Sequence, residues 1–257
     1  MMAALADRRP PGTVVDLTHD LRPHDVLEAG FLVRAMAERF PAGSVHVVVV
    51  DPGVGGTRAP VIIRCRDGSF LVGPDNGVLF PLAEALGRGQ AYRIDPERLV
   101  ARPRIGTTFD GRDLFAPAAA GLASGTPPRC LGEPVSLRGP APPSPRRTLA
   151  GGSGVVVHVD RFGNIITNVP SGWLPRGTGR AYARCGRAAG AVPVATSYEG
   201  GRRDELLLLR SSFGTLELAV NRGRAVDRLR VRTGDPVRFA WSRRSRPARQ
   251  KRKKPPT

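Results

Sequence analysis

A run of four valines, Val47 to Val50, constrains the fold more than any other stretch of the sequence. An unbroken run of β-branched residues that ends at Asp-Pro-Gly is typical of a buried strand followed by a tight turn. Asp51 and Arg58 flank the loop that follows, and ligands of open α/β sheets bind at such strand ends. The two side chains therefore suit an activated water or a polar substrate, although the pattern alone also fits an ordinary strand and turn.

The first half of the chain alternates predicted strands with predicted helices. Apolar residues at helical spacing predict a helix between Pro23 and Pro41, and Asp67-Gly68 marks the turn of a hairpin. This order predicts an α/β layered domain over residues 1–124 with a largely parallel sheet. The other elements predicted here are a short strand over 12–21 and two helices over 78–87 and 111–125.

The second half contains predicted strands and almost no helical spacing. Residues 125–150 are rich in Pro, Gly and Ser, which predicts a connection. Residues 151–241 carry a series of short apolar segments of the strand type. We therefore expect the α/β domain to be followed by a small C-terminal β-barrel domain, with a sandwich as the alternative.

The net charge of +18 is typical of a nucleic-acid-binding protein, but much of it is local. Residues 242–257 contain eight basic residues, among them all the lysines, and no acid. The rest of the chain keeps an excess of arginine. We predict that 242–257 is a disordered basic tail that makes at most nonspecific contacts with polyanions.

The three cysteines, Cys65, Cys130 and Cys185, lie far apart in the sequence. No CxxC pair exists, so neither a zinc site nor a disulfide framework is indicated. The first residues lack the long apolar core of a signal peptide, and no stretch is apolar enough to span a membrane. These features predict a cytoplasmic protein.

Six segments of the sequence carry a family signature when they are taken together: VVDLTHDL, VHVVVVDPGVGGTR, LVGPDNGVLF, TTFDGRDLFAPAAA, VVHVDRFGNIITNV and SSFGTLELAVNRG. In this order they resemble the S-adenosyl-L-methionine hydroxide adenosyltransferases, which are relatives of the fluorinases and chlorinases. Any one segment is a weak signal, whereas six in the family's order are very specific. The resemblance extends from Val14 to about Phe239.

The resemblance implies an α/β domain plus a β-barrel, in homotrimers whose nucleoside lies between one subunit's N-terminal domain and its neighbour's C-terminal domain. It implies the reaction of S-adenosylmethionine with water to give adenosine and methionine, without a cofactor or metal. Asp51 and Arg58 match two of three polar residues around the attacking water. Halogenating relatives carry an aromatic and small residues in this loop, so Asp51 and Arg58 favour water over halide.

The third residue of the family's trio is a histidine, and Asp110 stands in its place here. One interpretation is that Asp110 takes over the second contact to the water as a catalytic residue. The alternative is that the site has lost a polar contact and that Asp110 merely caps the helix that follows. We favour the first interpretation because the surrounding residues match the family.

The N-terminus departs from the family as well. Family members begin with a strand ending in a TDFG-like turn, whose aspartate binds the ribose, and a helix then leads to the VDLTH segment. The first residues of this chain match only the end of that helix. We therefore expect that strand to be missing here, through a late start codon or a true truncation.

Seven residues of the second half match the family's substrate-binding positions. Phe162 would stack near the base or ribose, and Asn164 would hydrogen-bond the adenine edge. Asp160 would lie near the methionine ammonium, and Tyr198 against the adenine. Without the resemblance, the aromatics would be read as core residues and Asn164 as a turn residue. The positions that match the loop and strand closing around adenine and ribose are Ser212, Glu217 and Val220.

The leading prediction is therefore a hydrolase of S-adenosyl-L-methionine. An adenosyl halogenase of the same fold is one alternative, and Asp51 and Arg58 argue against it. A non-catalytic homologue that binds nucleosides or, through its tail, nucleic acid is another alternative. Asp110 and the unmatched N-terminus favour that last one.

Overall fold

The computed structural model describes residues 12–99 and 106–241, which form two compact units. The chain passes from the first unit to the second between Pro142 and Pro143. The predicted tail, 242–257, lies outside the described residues. Within the described ranges, no helix has both the length and the apolar character needed to cross a membrane.

The first unit is a five-stranded sheet covered by helices on both faces. Alternating residues of one central strand face opposite cores: Ile62 packs with one apolar cluster, and Val61 and Ile63 pack with the other. The sheet order is β1-β3-β2-β4-β5. The elements are α1 (Val26–Ala37), β1 (Val45–Val47), β2 (Pro60–Cys65), β3 (Phe70–Pro74), α2 (Phe80–Ala85), β4 (Arg88–Ile94), a π-helical turn (Gly111–Phe115), α3 (Ala116–Ala123), α4 (Pro128–Leu131) and β5 (Gly132–Val135).

The sheet is mixed, so the predicted largely parallel pairing holds for one pair of the described strands. β1 runs parallel to β3, whereas β2, β4 and β5 pair antiparallel to their neighbours. The reason lies in the connections, since the turn at Asp67-Gly68 joins β2 directly to β3 and a tight hairpin enforces antiparallel pairing. Gly68 adopts a φ of +89° in that turn, as such a turn requires.

The strand predicted over 12–21 is not formed in the described structure. This segment has no ladder pairing, and Val14 and Val15 are 42% and 54% exposed. A cleft of 660 Å³ lies between residues 13–24 and β1 with its extension to Asp51. A strand needs a partner for its backbone groups, and neither side of this cleft supplies one to the other.

The second unit is a barrel-like sheet in the order β10-β9-β13-β7-β8-β12-β11, with β6 paired to β7. A parallel bridge between Val194 and Leu208 links the ends of this order. The predicted class, an α/β domain followed by a small β-barrel domain, is confirmed. The elements are β6 (Arg146–Thr148), β7 (Gly151–Val159), β8 (Ile165–Pro170), β9 (Arg180–Cys185), β10 (Ala188–Pro193), β11 (Leu206–Arg210), β12 (Thr215–Val220), α5 (Ala225–Leu229) and β13 (Pro236–Ala240).

Candidate active site

Three of the predicted residues meet in the first unit, where Arg58 bridges two carboxylates. Its Nε donates to Asp51 Oδ1 at 3.0 Å, and its Nη2 contacts the second oxygen of Asp51 and Oδ2 of Asp110. The side chains of Asp51, Asp110 and Arg58 are only 5%, 4% and 11% exposed. With both acids ionised, the cluster has a formal charge of −1 in a nearly dry environment.

The loop after β1 brings Asp51 and Arg58 together by folding back on itself. Backbone hydrogen bonds from Val54 to Asp51 and from Gly56 to Gly53 close two successive turns. Gly55 lies between them with a φ of +77°, and a Cβ there would lie 3.3 Å from the Thr107 carbonyl oxygen. The glycines thus allow the loop to reverse within a few residues.

Asn76 fixes the start of this loop, a role that the sequence analysis missed. Its Nδ2 donates to the Val50 carbonyl at 2.9 Å, and its Oδ1 accepts from Val78 N–H at 3.2 Å. The Asn-Gly pair at 76–77 predicts only a turn. The contact spans 26 residues, so no local pattern could have shown that this turn holds the peptide preceding Asp51.

Asp110 precedes the π-helical turn Gly111–Phe115 and does not cap it. Its backbone is already helical, with φ −57° and ψ −30°, and its side chain makes no capping hydrogen bond. The carboxylate is directed to Arg58 instead. The interpretation of Asp110 as a mere helix cap is therefore wrong. Single π-turns within helices are frequent at functional sites, and this one follows Asp110 directly.

Several contacts keep the Arg58 guanidinium protonated. Burial lowers its pKa, but the hydrogen bonds that Arg58 donates to Asp51 and Asp110, together with the charges of these carboxylates, outweigh this effect, so the pKa is raised overall. The guanidinium carbon also lies 5.8 Å from the centroid of the buried Phe115 ring. Phe115 was not predicted as a site residue, because a buried Phe in an apolar helix reads as core.

In the second unit the structure brings together four of the seven predicted residues. Tyr198 OH donates to Glu217 Oε1 at 2.9 Å. Asp160 accepts from the backbone N–H and from Nδ2 of Asn164 at 2.9 and 3.0 Å, across the turn between β7 and β8. The charge of Asp160 raises the pKa of both Tyr198 and Glu217, so the two pairs lie close enough to interact. We call Asp160, Asn164, Tyr198 and Glu217 the polar cluster.

The pKa values of Glu217 and Tyr198 are both raised, so both side chains favour their protonated forms. Burial raises the pKa of Glu217, the hydrogen bond from Tyr198 partly opposes this, and the charge of Asp160 raises it further. Burial and the bond to Glu217 raise the pKa of Tyr198 to about 12. The phenol therefore remains a donor at neutral pH while its ring is 48% exposed.

The other three predicted residues occupy different positions. Phe162 lies on the turn that follows Asp160, with its ring 65% exposed. Ser212 is exposed in the turn before β12, and Val220 is buried at the far end of β12. Exposed Phe213, beside Ser212, was not predicted. Among the described residues of this unit, the exposed aromatic side chains are those of Phe162, Tyr182, Tyr198 and Phe213.

Comparison with known proteins gives consistent matches along the chain. The model of the SAM hydroxide adenosyltransferase N-terminal domain matches residues 1–132, and that of the C-terminal domain matches 154–238. An (R)-S-adenosyl-L-methionine hydrolase of Thermus thermophilus is 39% identical over 249 residues, covering 92% of this chain and 91% of the relative. A similar hydrolase of Salinispora arenicola is 37% identical, with 91% and 88% covered.

More distant relatives and a solved structure complete the comparison. A fluorinase of an Actinoplanes species is 29% identical over 189 residues, covering 62% of each chain. The crystal structure of an uncharacterized conserved protein from Thermotoga maritima superposes with a TM-score of 0.84 at 33% identity, covering 93% of each chain. The hydrolases are thus more similar to this chain than the fluorinase, both in identity and in the length matched.

Proposed function

Because the chain belongs to the SAM hydroxide adenosyltransferase family, we propose that it hydrolyses S-adenosyl-L-methionine to adenosine and L-methionine. A water attacks C5′ in line with the departing sulfur. The observation that carries this proposal is the buried cluster in which Arg58 joins Asp51 and Asp110. The names of the relatives, hydrolases of this same compound, support the choice of substrate.

The residue types suit the chemistry of this step. The sulfonium leaves as a neutral thioether and takes the C5′–S electron pair with it, so the leaving group needs no acid. Water is a weak nucleophile unless it loses a proton, and its pKa in bulk is about 15.7. A carboxylate that accepts a proton as the O–C5′ bond forms supplies what the reaction lacks.

We assign the base to Asp51 and the second contact to the water to Asp110. Arg58 donates hydrogen bonds to both oxygens of Asp51 through Nε and Nη2, and this bidentate contact fixes the orientation of the carboxylate. The guanidinium also supplies a positive charge against which hydroxide character can develop. Alignment of oxygen, C5′ and sulfur contributes the rest of the acceleration.

The same cluster argues against a halide as nucleophile. Two carboxylates flank one guanidinium, so a halide that entered the site would lie beside two groups of like charge. A neutral water meets no such repulsion and is itself a hydrogen-bond donor to carboxylates. An adenosyl halogenase is therefore the less favoured function for this chain.

We propose that the second unit supplies the groups that recognise the nucleoside. Phe162 and Tyr198 offer exposed rings for stacking on a base, and Asn164 has an amide suited to the adenine edge. Asp160 suits the methionine ammonium, while Ser212, Glu217 and Val220 line the adjoining strand and loop. We also propose a homotrimer as the active form, without cofactor or metal.

The test is incubation of the purified chain with S-adenosyl-L-methionine, followed by chromatography of the products. We expect adenosine and methionine in equal amounts, at a rate that added chloride or fluoride does not change. A 5′-halogenated nucleoside would show a halogenase instead. Binding of adenosine without any turnover would show a non-catalytic homologue.

A further inference from the structure

One face of the barrel carries arginines in register on neighbouring strands. Arg238 on β13 pairs with Arg184 on β9 on one side and with Ser153 on β7 on the other. Ser153 in turn pairs with Arg146 on β6. Directly paired residues of an antiparallel sheet project to the same face, so these side chains form a row across four strands.

The row points away from the barrel core. All three arginines are exposed, and their strand neighbours Val237, Phe239 and Cys185 are buried. Along β9 the same face carries Arg180 and Tyr182, the latter 46% exposed. We call the outward-facing side chains of these strands the arginine face. Its members are Arg146, Ser153, Arg180, Tyr182, Arg184, Pro236 and Arg238.

The arginine face carries no carboxylate among its paired positions. The residues in register with it on β10, β13 and β7 are small or apolar, such as Ala189, Ala191 and Ala240. Within residues 12–99 and 106–241, no ion pair joins Arg146, Arg184 or Arg238 to an acid. Arg184 and Arg238 instead face each other with Cα atoms about 5 Å apart.

Like charges placed directly opposite each other destabilise a sheet unless something outside it compensates them. The sequence carries more positive charge after the last strand of the sheet. β13 ends at Ala240, which pairs with Tyr182 and Gly151, and the sequence then enters 242–257 with eight basic residues and no acid. The chain therefore enters the basic segment directly from β13, a strand of the arginine face.

We propose that the arginine face binds single-stranded nucleic acid, a function separate from hydrolysis. Neighbouring strands are about 4.8 Å apart, so the row offers guanidinium groups at short intervals across the outer face of the sheet. Such a row can contact successive phosphates, and the exposed ring of Tyr182 can stack on a base. The contacts involve backbone phosphate and base faces, so binding depends little on sequence.

The test is fluorescence anisotropy of a labelled oligothymidylate of about 20 nucleotides, titrated with the full chain between about 50 and 200 mM salt. The face variant replaces Arg146, Arg184 and Arg238 by Gln. The control variant replaces three exposed arginines that lie outside these strands by Gln, and so removes the same charge. The control positions are Arg176, Arg202 and Arg203.

We expect the face variant to bind at least about tenfold more weakly and to lose about 2 units of the salt-dependence slope. The control variant should change by less than about threefold. Tyr182→Ala should weaken binding by about tenfold without changing the slope. Thermal melting of the face variant at or above the wild-type Tm shows that it is folded.

Three results would overturn the proposal. The first is a wild-type chain that does not bind the oligonucleotide. The second is an equal loss in the face and control variants, because binding would then follow overall charge rather than this surface. The third is a face variant that binds normally but changes its oligomeric state in light scattering, which would make the face a contact between copies of the chain.

Discussion

The charged cluster of the first unit and the polar cluster of the second unit differ in charge and in exposure to solvent. The side chains of Asp51, Arg58 and Asp110 are at most 11% exposed, and Arg58 forms an ion pair with each of the two carboxylates. In the second unit Glu217 is buried, but Tyr198, which donates a hydrogen bond to it, is exposed, and so is Phe162. Preorganised charge suits the chemical step, whereas exposed rings suit the binding of a flat group.

This comparison predicts that loss of a charge is far more costly in the first cluster than in the second. Arg58→Met removes the cation with which both buried carboxylates form ion pairs. We expect a loss of about 3–5 kcal/mol in the free energy of unfolding, together with loss of turnover. Urea denaturation measures the first quantity and adenosine formation the second.

The matched control for Arg58→Met adds Asp51→Asn and Asp110→Asn, which removes the uncompensated charges. Stability should return in this triple variant while turnover stays absent. If Arg58→Met alone were as stable as wild type, the three side chains would not form the compensated cluster described here.

Asp51→Asn separates chemistry from binding. The amide keeps the shape of the carboxylate but cannot accept a proton, so turnover should fall by about 10²–10⁴-fold. Calorimetry should show adenosine affinity close to that of wild type. Glu84→Gln, at an exposed acid of α2, is the control and should leave both quantities unchanged. Near-normal turnover in Asp51→Asn would show that Asp51 is not the base and that the loop after β1 is an ordinary turn.

Asp110→His restores the residue that the resemblance predicts at this position. If Asp110 already contacts the water, the substitution should change the pH dependence of turnover and leave its maximum within about tenfold. A damaged site would instead give a near-zero rate in the wild type and a large rise in the variant. The rate measured across pH 5–9 distinguishes the two cases.

Glu217→Gln tests the second cluster and should have the smallest effect. Burial raises the pKa of Glu217 above its unfolded value of about 4.3, so the folded state holds this proton to higher pH than the unfolded state. The resulting stabilisation is present below that unfolded value and is lost as pH rises through the folded pKa. The Gln variant should lack this decline.

Tryptophan fluorescence reports this change, because Trp173 and Trp241 both lie in the second unit. Urea unfolding at successive pH values from about 4 upward gives the profile. Glu199→Gln, at an exposed position next to Tyr198, is the control and should follow the wild type. Identical profiles for wild type and Glu217→Gln would mean that Glu217 ionises in the folded chain as it does when unfolded.

Elements with strong local patterns could be predicted from the sequence. The helix α1 and the hairpin at Asp67-Gly68 lie where their spacing and turn residues indicated. The segment 12–21 was predicted as a strand and is not one, because a strand is defined by its partner as much as by its own residues. Mixed pairing in the first sheet likewise depends on which strands meet.

The site was predictable only in part. Asp51 and Arg58 share one loop, so their proximity follows from the turn, but the contact of Arg58 with Asp110 spans 52 residues. Only the resemblance joined Asp110 to the other two. Asn76 and Phe115 were missed because a turn asparagine and a core phenylalanine carry no local sign of the residue that they support.

The most direct test of the account is the fate of the attacking oxygen. Hydrolysis of S-adenosyl-L-methionine in H₂¹⁸O, followed by mass spectrometry, shows which product gains the label. Attack of water at C5′ beside Asp51 and Arg58 predicts ¹⁸O in the 5′-hydroxyl of adenosine and none in methionine. Unlabelled adenosine, or a label carried by the amino-acid product, would contradict it.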